Sequence, residues 1–581
     1  MEEVNLDELA FLLKGFNENW RIRFSKNPHL LNYVTQLLGK ALFNPPTLVE
    51  SLSMDMAKLK EPNLIYPVGD PVYIHIYTDS KSKSLIYHPI EPRLQKKRDQ
   101  ILNEIERRIA LEIDENMVAE SSEERTAILY KLLDKILGSN RTLKVGSETI
   151  TFDEQTYARL KYEVYCEKVG LSLLEPMIRD TYIEDIHCSG IGPIFISHKI
   201  FGTVESTVRF NDMDEVDRFV IRLSEFVGKP VSHQNPIVDA TLPDGSRLNI
   251  VFGEDISRRG SNFTIRKFSY RPLSIIELIK FGTMSSLVAA YLWILLSEKM
   301  SVWICGETAS GKTTTLSAIT AFIPPSAKIV SIEEVPEVHV PHQNWIREVV
   351  RETSNAASEE RGAVSMFQLL KAALRQRPTY IIVGEIRGVE GNIAFQAMQT
   401  GHPVLATFHA ASVAKLIQRL TNYPINIPKT HVDNLNATVF QSAVHDPETG
   451  KYKRRVISVN EILGYEPADK QFNFVEVFSW NPSQDDFIFR GLGTSYLLDS
   501  KIAIMRGLSG YEIRRIYEEL QMRARILEFM LMLGITDYWE VWKNLKWIYG
   551  VGIEKAYHRY RRMCMMKYGP RVEEFVKARI V

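Results

Sequence analysis

The stretch from Gly306 to Thr315, with the sequence GETASGKTTT, has the residue types and spacing of a phosphate-binding loop. Gly306, Gly311, Lys312 and Thr313 fit the pattern of Gly, any four residues, then Gly-Lys-Ser/Thr. Such glycines allow backbone N–H groups to surround phosphate oxygens, and the lysine is predicted to reach the β- and γ-phosphates of a nucleotide. The Thr313 hydroxyl is predicted to bind Mg²⁺, which prefers oxygen ligands.

The sequence on either side predicts a strand before this loop and a helix after it. Residues 301–305 form a short apolar run, and Leu316, Ile319 and Phe322 recur at helical spacing. A helix N-terminus has a positive dipole end that favours phosphate. A strand directly before the motif and a helix directly after it disfavour the alternative, which is a chance match in a loop rich in Gly, Ser and Thr. The residues predicted to contact the nucleotide are Gly306, Glu307, Thr308, Ala309, Ser310, Gly311, Lys312, Thr313 and Thr314.

Carboxylates follow two further apolar segments that read as strands. The first segment ends in Glu333 and Glu334, with Glu337 close behind, and the second, at residues 380–384, is followed by Glu385. Open α/β sheets bind ligands at the carboxyl ends of their strands. These side chains are therefore predicted to orient water or bind Mg²⁺, with Glu385 acting through water or polarising the attacking water. For the first three, a plain acidic loop is the alternative.

Two histidines and two arginines complete the candidate set. His402 and His409 flank a predicted strand at residues 403–407, and each is either a phosphate sensor or a structural histidine. Arg247 and Arg266 lie at predicted strand edges in an arginine-rich stretch that precedes the nucleotide domain. They are either surface charges, as arginines usually are, or phosphate contacts.

The whole-chain composition narrows the functional class. The 581 residues suggest two to four domains, and Lys+Arg equals Asp+Glu at 71 each, so no nucleic-acid partner is expected. The longest apolar run, Leu287–Leu296, is half of the roughly twenty residues that a membrane span needs. With no export signal at its N-terminus, the chain is expected to be cytoplasmic, with only peripheral membrane contact. Four scattered cysteines disfavour a structural zinc site or a disulfide framework.

The pattern along the chain predicts its domain organisation. Alternating strands and helices after residue 284 predict a mostly parallel sheet covered on both faces, although residues 345–361 read as a loop. The basic, aromatic C-terminal region either packs as helices with a solvated face or touches an anionic membrane surface or a partner. The predicted segments are a helical N-terminal extension (1–60), an α+β N-terminal domain (61–270), a linker (271–283), a nucleotide domain (284–500) and a C-terminal helical region (501–581).

These motifs together resemble the secretion ATPase superfamily that drives type II secretion and type IV pilus assembly. Within it the chain looks most like the archaeal branch, which includes the archaellum motor and archaeal pilus-assembly ATPases, and it lacks the tetracysteine module of many bacterial members. The archaeal likeness rests on residues 87–92, 258–268 and 341–345. The shared motifs are PDGSR (243–247), NFTIRK (262–267), GETASGKTTT (306–315), IEEVPE (332–337), LRQRP (374–378), VGEIRG (383–388) and TGH…TFH (400–409).

The resemblance implies a fold and an assembly. Members are similar in having an N-terminal domain joined by a flexible linker to a RecA-like P-loop domain. The fold class expected here is therefore α/β, with a mostly parallel sheet in that domain, an α+β domain before it, and helical extensions at both ends. Members form homo-hexameric rings that bind ATP and Mg²⁺ between the domains, and they act on a polytopic membrane platform protein at the inner face of the cell membrane.

The resemblance also implies roles for individual residues. Thr379 stands where the family usually has an acid, which shifts the Walker B role to Glu385, and Glu334 stands where aspartate is common. The implied roles are Walker A for Lys312 and Thr313, an acidic box of Glu333, Glu334 and Glu337 with Glu333 activating water, Walker B for Glu385, a histidine box of His402 and His409, and charge stabilisation by Arg247 and Arg266.

The function predicted from the sequence is a Mg²⁺-dependent ATPase that powers assembly or rotation of a pilus-like filament, or secretion of its subunits. A DNA-transfer motor shares the phosphate loop, but zero net charge counts against it. A nucleotide-gated scaffold that does not hydrolyse ATP is a second alternative. The presence of Lys312, Glu333 and Glu385 counts against the scaffold.

Overall fold

The chain divides into two compact units, Met1–Ser269 (the first unit) and Tyr270–Val581 (the second unit). The computed structural model describes residues 18–39, 45–94, 97–113, 121–267, 271–351, 363–446, 452–468 and 471–580. Each unit has its own hydrophobic core and its own large sheet within the described residues.

The first unit is built on a mixed sheet whose described strands run in the order β1-β2-β3-β4-β9-β8-β7-β12-β11-β10. The first four residues of β3 are buried on both faces of the strand, with Tyr73 in one hydrophobic cluster and Ile74 and Ile76 in another. The strands are β1 Thr47–Leu48, β2 Asn63–Pro67, β3 Tyr73–Thr78, β4 Leu85–Ile90, β5 Thr142–Val145, β6 Glu148–Thr151, β7 Ile183–Cys188, β8 Gly192–His198, β9 Gly202–Phe210, β10 Ile237–Thr241, β11 Arg247–Val251 and β12 Asn262–Arg266.

Helices cover parts of this sheet and form a smaller core beside it. The helix that begins after Asp212 has an N-cap, because the Asp212 carboxylate accepts a hydrogen bond from the Glu215 amide at 2.8 Å. The helices are α1 Glu18–Lys26, α2 Pro28–Gly39, α3 Arg98–Glu112, α4 Ser122–Leu137, α5 Glu154–Lys168, α6 Glu175–Arg179 and α7 Met213–Phe226.

The second unit contains the parallel sheet that positions the phosphate loop. Its described strand order is β15-β14-β16-β17-β13-β18-β19-β20-β21, with parallel pairing from β15 to β18 and antiparallel pairing beyond. The α/β fold class is therefore confirmed. The strands are β13 Val302–Gly306, β14 Ile329–Glu333, β15 Trp345–Val349, β16 Tyr380–Ile386, β17 Val404–Phe408, β18 Ala437–His445, β19 Tyr452–Glu466, β20 Gln471–Asn481 and β21 Asp486–Phe489.

Helices pack on both faces of this sheet. The apolar run Leu287–Leu296 lies within α9, and every one of its side chains is buried, as expected of a helix that is apolar all round and sits in a core. The helices are α8 Ile275–Lys280, α9 Ser286–Ser297, α10 Lys312–Thr320, α11 Met366–Arg375, α12 Glu390–Gln399, α13 Val413–Thr421, α14 Ala503–Met505, α15 Arg514–Leu533, α16 Tyr538–Val551, α17 Ile553–Tyr568 and α18 Val572–Ile580.

The C-terminal helices share the core of the second unit. Leu527 of α15, Leu545 of α16 and Tyr560 of α17 belong to the same buried cluster as Leu316 of α10. The Tyr538 hydroxyl lies 3.2 Å from the Thr320 hydroxyl at the end of α10. These helices are packed, while basic residues remain on their outer face. Within the described residues no helix is both long and apolar enough to cross a membrane.

Three local predictions differ from the structure. The predicted linker at 271–283 contains α8, whose Ile275, Ile276, Leu278 and Ile279 are buried in the core, because the Ser274 cap starts a helix that Pro272 does not prevent. The predicted loop at 345–361 begins with β15, which pairs in parallel with β14. The predicted helical extension at 1–60 contains α1 and α2 but also β1, which pairs with β2. Residues 1–17, 40–44 and 352–361 of these segments lie outside the described part.

Candidate active site

The phosphate loop joins β13 to α10 at the carboxyl edge of the parallel sheet. Gly311, with φ 92°, takes the left-handed conformation at the start of α10. The Lys312 ammonium donates to the Glu307 carbonyl at 2.8 Å, and the Ser310 hydroxyl donates to the same carbonyl at 2.8 Å. Lys312 is only 8% exposed, and burial lowers its pKa against the opposing charge of Glu385. The loop therefore holds its cation inside the curve of its backbone, where a phosphate would sit.

Gly306 allows the loop to leave the sheet beside β18. A Cβ atom at this position would lie 2.2 Å from the Gln441 carbonyl oxygen, a backbone atom of the neighbouring strand. Gly306→Ala is therefore expected to lower the free energy of unfolding of the second unit by roughly 2–4 kcal/mol, since the paired strands must separate. Thermal denaturation without nucleotide measures this change. Gly550→Ala, whose Cβ would meet nothing within 4 Å, is the matched control and should be neutral or slightly stabilising; an equal loss in both variants would contradict the argument.

Glu385 is presented by an irregularity in β16. The pairing of β16 with β17 slips between Val383 and Ile386, so the strand has a bulge at Gly384 and Glu385. The Thr407 hydroxyl donates to the Gly384 carbonyl at 2.6 Å and fixes the bulge. Bulges often redirect a side chain beside an active site, and here the redirected side chain is the predicted Walker B acid.

The Glu385 carboxylate lies between two partners. Its Oε2 accepts from Arg387 at 2.6 Å, and its Oε1 lies 2.8 Å from Nε2 of His409, at the end of β17. Burial alone would raise the pKa of Glu385, but Arg387, His409 and Lys312 outweigh it and bring the pKa below its usual value. Burial and the charge of Lys312 lower the pKa of His409. The site therefore combines an ionised carboxylate with an imidazole that is neutral near pH 7.

Arg387 links this carboxylate to the acidic segment after β14. Its second guanidinium nitrogen lies 3.2 Å from the Glu334 carboxylate, which is half exposed. Glu337 is partly buried, and its amide is held by Glu333. Glu334 thus joins the Glu385 cluster, whereas Glu337 contributes to the shape of the segment.

Glu333 is buried and fully engaged by the protein. One oxygen accepts from the amides of Glu337 at 2.9 Å and Val338 at 2.7 Å, and the other lies 3.4 Å from Nε of Arg347. Burial raises the pKa of Glu333 to about 7 despite these partners. Such a pKa suits a general base, but the hydrogen bonds show that the carboxylate also holds the 337–338 backbone.

The buried Glu333 predicts a pH-dependent stability difference. A carboxyl whose folded pKa exceeds its unfolded pKa stabilises the protein below the unfolded value, and this stabilisation is lost as pH rises through about 7. Glu333→Gln is therefore expected to gain stability relative to the wild type between pH 5 and pH 8, on the order of 3 kcal/mol. Paired melting curves across this range test the sign. Glu334→Gln, which removes an exposed carboxyl from the same segment, is the control, and a difference for Glu333→Gln that does not change with pH would refute the prediction.

The structure does not bring His402 to the phosphate loop of its own subunit. His402 precedes β17 and His409 follows it, so the five-residue strand, roughly 16 Å long, separates them. Because β17 is parallel to β13, only His409 lies at the loop edge. Arg247 and Arg266 belong to the first unit, where they are directly opposite each other on β11 and β12, and Arg266 donates to Asp185 at 3.0 Å.

Sequence patterns missed two residues that support the site. The Gln441 side chain accepts from the Thr315 hydroxyl at 2.7 Å and so ties β18 to the first turns of α10. Arg347, in the segment predicted as a loop, pairs with Glu333. Their partners are distant in sequence, and only the strand order could have revealed the contacts.

The residues present fit a nucleotide with Mg²⁺. The loop supplies a glycine-lined backbone curve with Lys312 inside it, and hydroxyl and carboxylate oxygens, the donors that Mg²⁺ prefers, come from Thr313 and Glu385. Among the described residues no cluster of three or more His, Cys, Asp or Glu could bind a metal on its own.

Comparisons with known proteins agree with the motifs. The family model described as Type II/IV secretion system protein matches residues 167–444. An uncharacterized protein of Methanocaldococcus jannaschii is 45% identical over 543 residues, which cover 91% of this chain and 96% of that protein. The type IV secretion system protein VirB11 of Bartonella henselae is 28% identical over 254 residues, covering 38% of this chain and 69% of that protein.

Solved structures with detectable similarity include the VirB11 ATPase from the Brucella suis type IV secretion system, at 24% identity and TM-score 0.25, covering 49% of this chain and 91% of that one. The Legionella pneumophila ATPase DotB matches at 17% identity and TM-score 0.36, covering 63% and 92%. On the family model and the long archaeal match, the chain belongs to the Type II/IV secretion system protein family.

Proposed function

We propose that this protein is a Mg²⁺-dependent ATPase that works as a homo-hexameric motor. The motor would assemble or rotate a pilus-like surface filament, with an archaellum or an archaeal pilus as the first choice, or it would secrete the filament's subunits. The observation that carries the proposal is the meeting of Lys312 in the phosphate loop with the Glu385–Arg387–His409 cluster at one edge of the sheet. The opposite charges of Lys312 and Glu385 each shift the pKa of the other group, which supports assigning both residues to one site.

The chemistry is in-line attack of water on the γ-phosphate, which depends on positioning and on positive charge. Lys312 stabilises charge that develops on the phosphate oxygens. Glu385, kept ionised by Arg387, polarises the attacking water, and Nε2 of His409 lies 2.8 Å from its other oxygen. Bound Mg²⁺ would neutralise part of the phosphate charge, with Thr313 and Glu385 holding it directly or through water. Within the acidic box, Glu333 remains the first candidate to activate the attacking water.

The motor assignment rests on family membership. We propose a ring in which Arg247 and Arg266 of one subunit complete the site of another, and a polytopic membrane platform protein as the recipient of the motion. His402 would act on a neighbouring subunit. The protein would work in the cytoplasm at the membrane, where the exposed basic residues of α17, such as Arg559 and Arg562, suit an anionic surface. No nucleic acid takes part in this scheme.

ATP hydrolysis measured against protein concentration tests the proposal. We expect specific activity to rise with concentration, because sites shared between subunits are complete only in the oligomer. Activity per chain that does not change with concentration would contradict the role of Arg247 and Arg266 in a neighbouring subunit's site. If the protein hydrolysed no ATP at any concentration, with or without anionic vesicles, the proposed ATPase activity would be refuted. Stimulation by DNA but not by vesicles would favour a nucleic-acid motor. Normal filaments in cells that carry Lys312→Ala would refute the proposed role in filament assembly.

A further inference from the structure

The strand order places the phosphate loop between two different neighbours. On one side β17 and β16 present His409 and Glu385. On the other side β18 pairs with β13 as far as Gly306 opposite Gln441, and then continues to His445 beyond the end of β13. Its extension pairs with the start of β19, so a two-stranded ribbon, residues 442–445 and 452–455, projects beside the loop.

Arg454 lies on this ribbon against the phosphate loop. It is directly opposite Ala443, which puts its side chain on the same face as Gln441, whose amide contacts Thr315 of α10. Its Cγ is 3.6 Å from the position that a Cβ would occupy on Gly311. Arg454 is exposed, and in the described part of the chain its guanidinium has neither a hydrogen bond nor an ion pair. An exposed arginine whose stem lies against a phosphate loop suits an anionic ligand.

Tyr452 and His445 form an aromatic pair next to Arg454, on the same face of the ribbon and nearer its tip. Tyr452 is two residues before Arg454 and directly opposite His445. The two rings have centroids 5.6 Å apart at an angle of 77°, so the His445 ring packs in a T-shaped contact with the phenol ring, which is 63% exposed. Two residues along a strand span about 7 Å, which is of the order of the step from a nucleotide α-phosphate to its base.

We propose that the 442–445/452–455 ribbon is the nucleotide-recognition surface, with Arg454 contacting the α-phosphate and Tyr452 stacking on the base. This inference rests on the proposed ATPase function. Because the γ-phosphate must face Glu385 and His409, the rest of the nucleotide leaves the loop on the opposite side, over β18 and β19. An arginine followed by a supported aromatic ring matches a phosphate followed by a flat base.

The opposite face of the ribbon has a separate, structural role. There Lys453 is paired with Asp446 at 2.9 Å, and Asp446 is buried, so this pair fixes the two strands to each other. The nucleotide contacts are therefore assigned to one face only, and Lys453 is not a candidate for them.

Calorimetric titration of the full-length protein with ATP, ADP and inorganic tripolyphosphate, all with Mg²⁺, separates the two contacts. Arg454→Ala is expected to weaken all three ligands by about tenfold or more, with Arg454→Lys recovering part of the loss. Tyr452→Ala is expected to weaken ATP and ADP by about fivefold or more while leaving tripolyphosphate unchanged, and Tyr452→Phe should bind like the wild type. Arg490→Ala, at the far edge of the same sheet and 57% exposed, is the charge control.

The possible outcomes test the recognition surface separately from the proposed ATPase function. If the wild type binds ATP but Arg454→Ala and Tyr452→Ala bind it equally well, the recognition surface is refuted and the ATPase proposal stands. Equal weakening of ATP and tripolyphosphate by Tyr452→Ala would refute base stacking. A wild type that binds none of the three ligands would overturn both proposals.

Discussion

Replacing Lys312 by alanine is expected to reduce ATP hydrolysis by about a hundredfold or more. The ammonium is held inside the phosphate loop by the Glu307 carbonyl, 2.8 Å away, so it needs little reorganisation to stabilise charge on the γ-phosphate. Loss of one preorganised donor to such a charge typically costs a hundredfold to a thousandfold in rate. Phosphate release at saturating and limiting ATP measures the change in kcat and in kcat/KM.

The control for this variant is Lys415→Ala, an exposed lysine near the start of α13. It should retain wild-type hydrolysis, and a melting curve of Lys312→Ala should show that the loop variant remains folded. If the hydrolysis rate of Lys312→Ala were within a few-fold of the wild-type rate, the phosphate loop would have no part in catalysis.

Replacing Glu385 by glutamine is expected to lower the hydrolysis rate by about a hundredfold to ten-thousandfold while ATP still binds. Glutamine keeps the size of the side chain but cannot polarise water as a carboxylate does, and general-base catalysis contributes factors of this order. Because Arg387, His409 and Lys312 hold the pKa of Glu385 below its usual value, wild-type activity should not fall from titration of this group between pH 8 and pH 6. Single-turnover hydrolysis and ATP titration separate the rate from the affinity.

Glu334→Gln provides the comparison for this variant. Glu334 is half exposed and touches the cluster only through Arg387, so its loss should cost far less than the loss of Glu385. If Glu334→Gln or Glu333→Gln abolished hydrolysis while Glu385→Gln retained it, the water-polarising role would pass to the acidic segment.

The parts of the site that depend on adjacent residues could be predicted from the sequence. A phosphate loop needs its glycines and lysine within a few residues, and the apolar runs before Gly306 and Glu385 identify buried parallel strands. The carboxyl-end rule then predicts that Glu385 and His409 share an edge, and they are 2.8 Å apart.

The remaining contacts depend on strand order and on tertiary burial. Nothing in the sequence beside Glu333 shows that Arg347 and two backbone amides would surround it, because Arg347 lies on a strand that alternates weakly and reads as a loop. The helix within the predicted linker was missed for a related reason. Proline and glycine near residues 272–282 indicate a break, but the four apolar residues between them form a helix because the core of the second unit buries them.

The C-terminal helices have a consequence for how force would leave the molecule. α10 begins at the phosphate loop, and just past its far end the Phe322 carbonyl accepts from the Tyr549 hydroxyl of α16 at 2.5 Å. A shift of α10 on binding or release of phosphate would therefore press directly on α16, with no flexible tether between them. A fragment that ends at residue 500 would lose this lever and leave Trp293 and Phe322, which stack with ring centroids 5.3 Å apart, without Tyr549 beside them. In the proposed motor, the C-terminal helices would therefore transmit movement of α10 out of the nucleotide-binding domain.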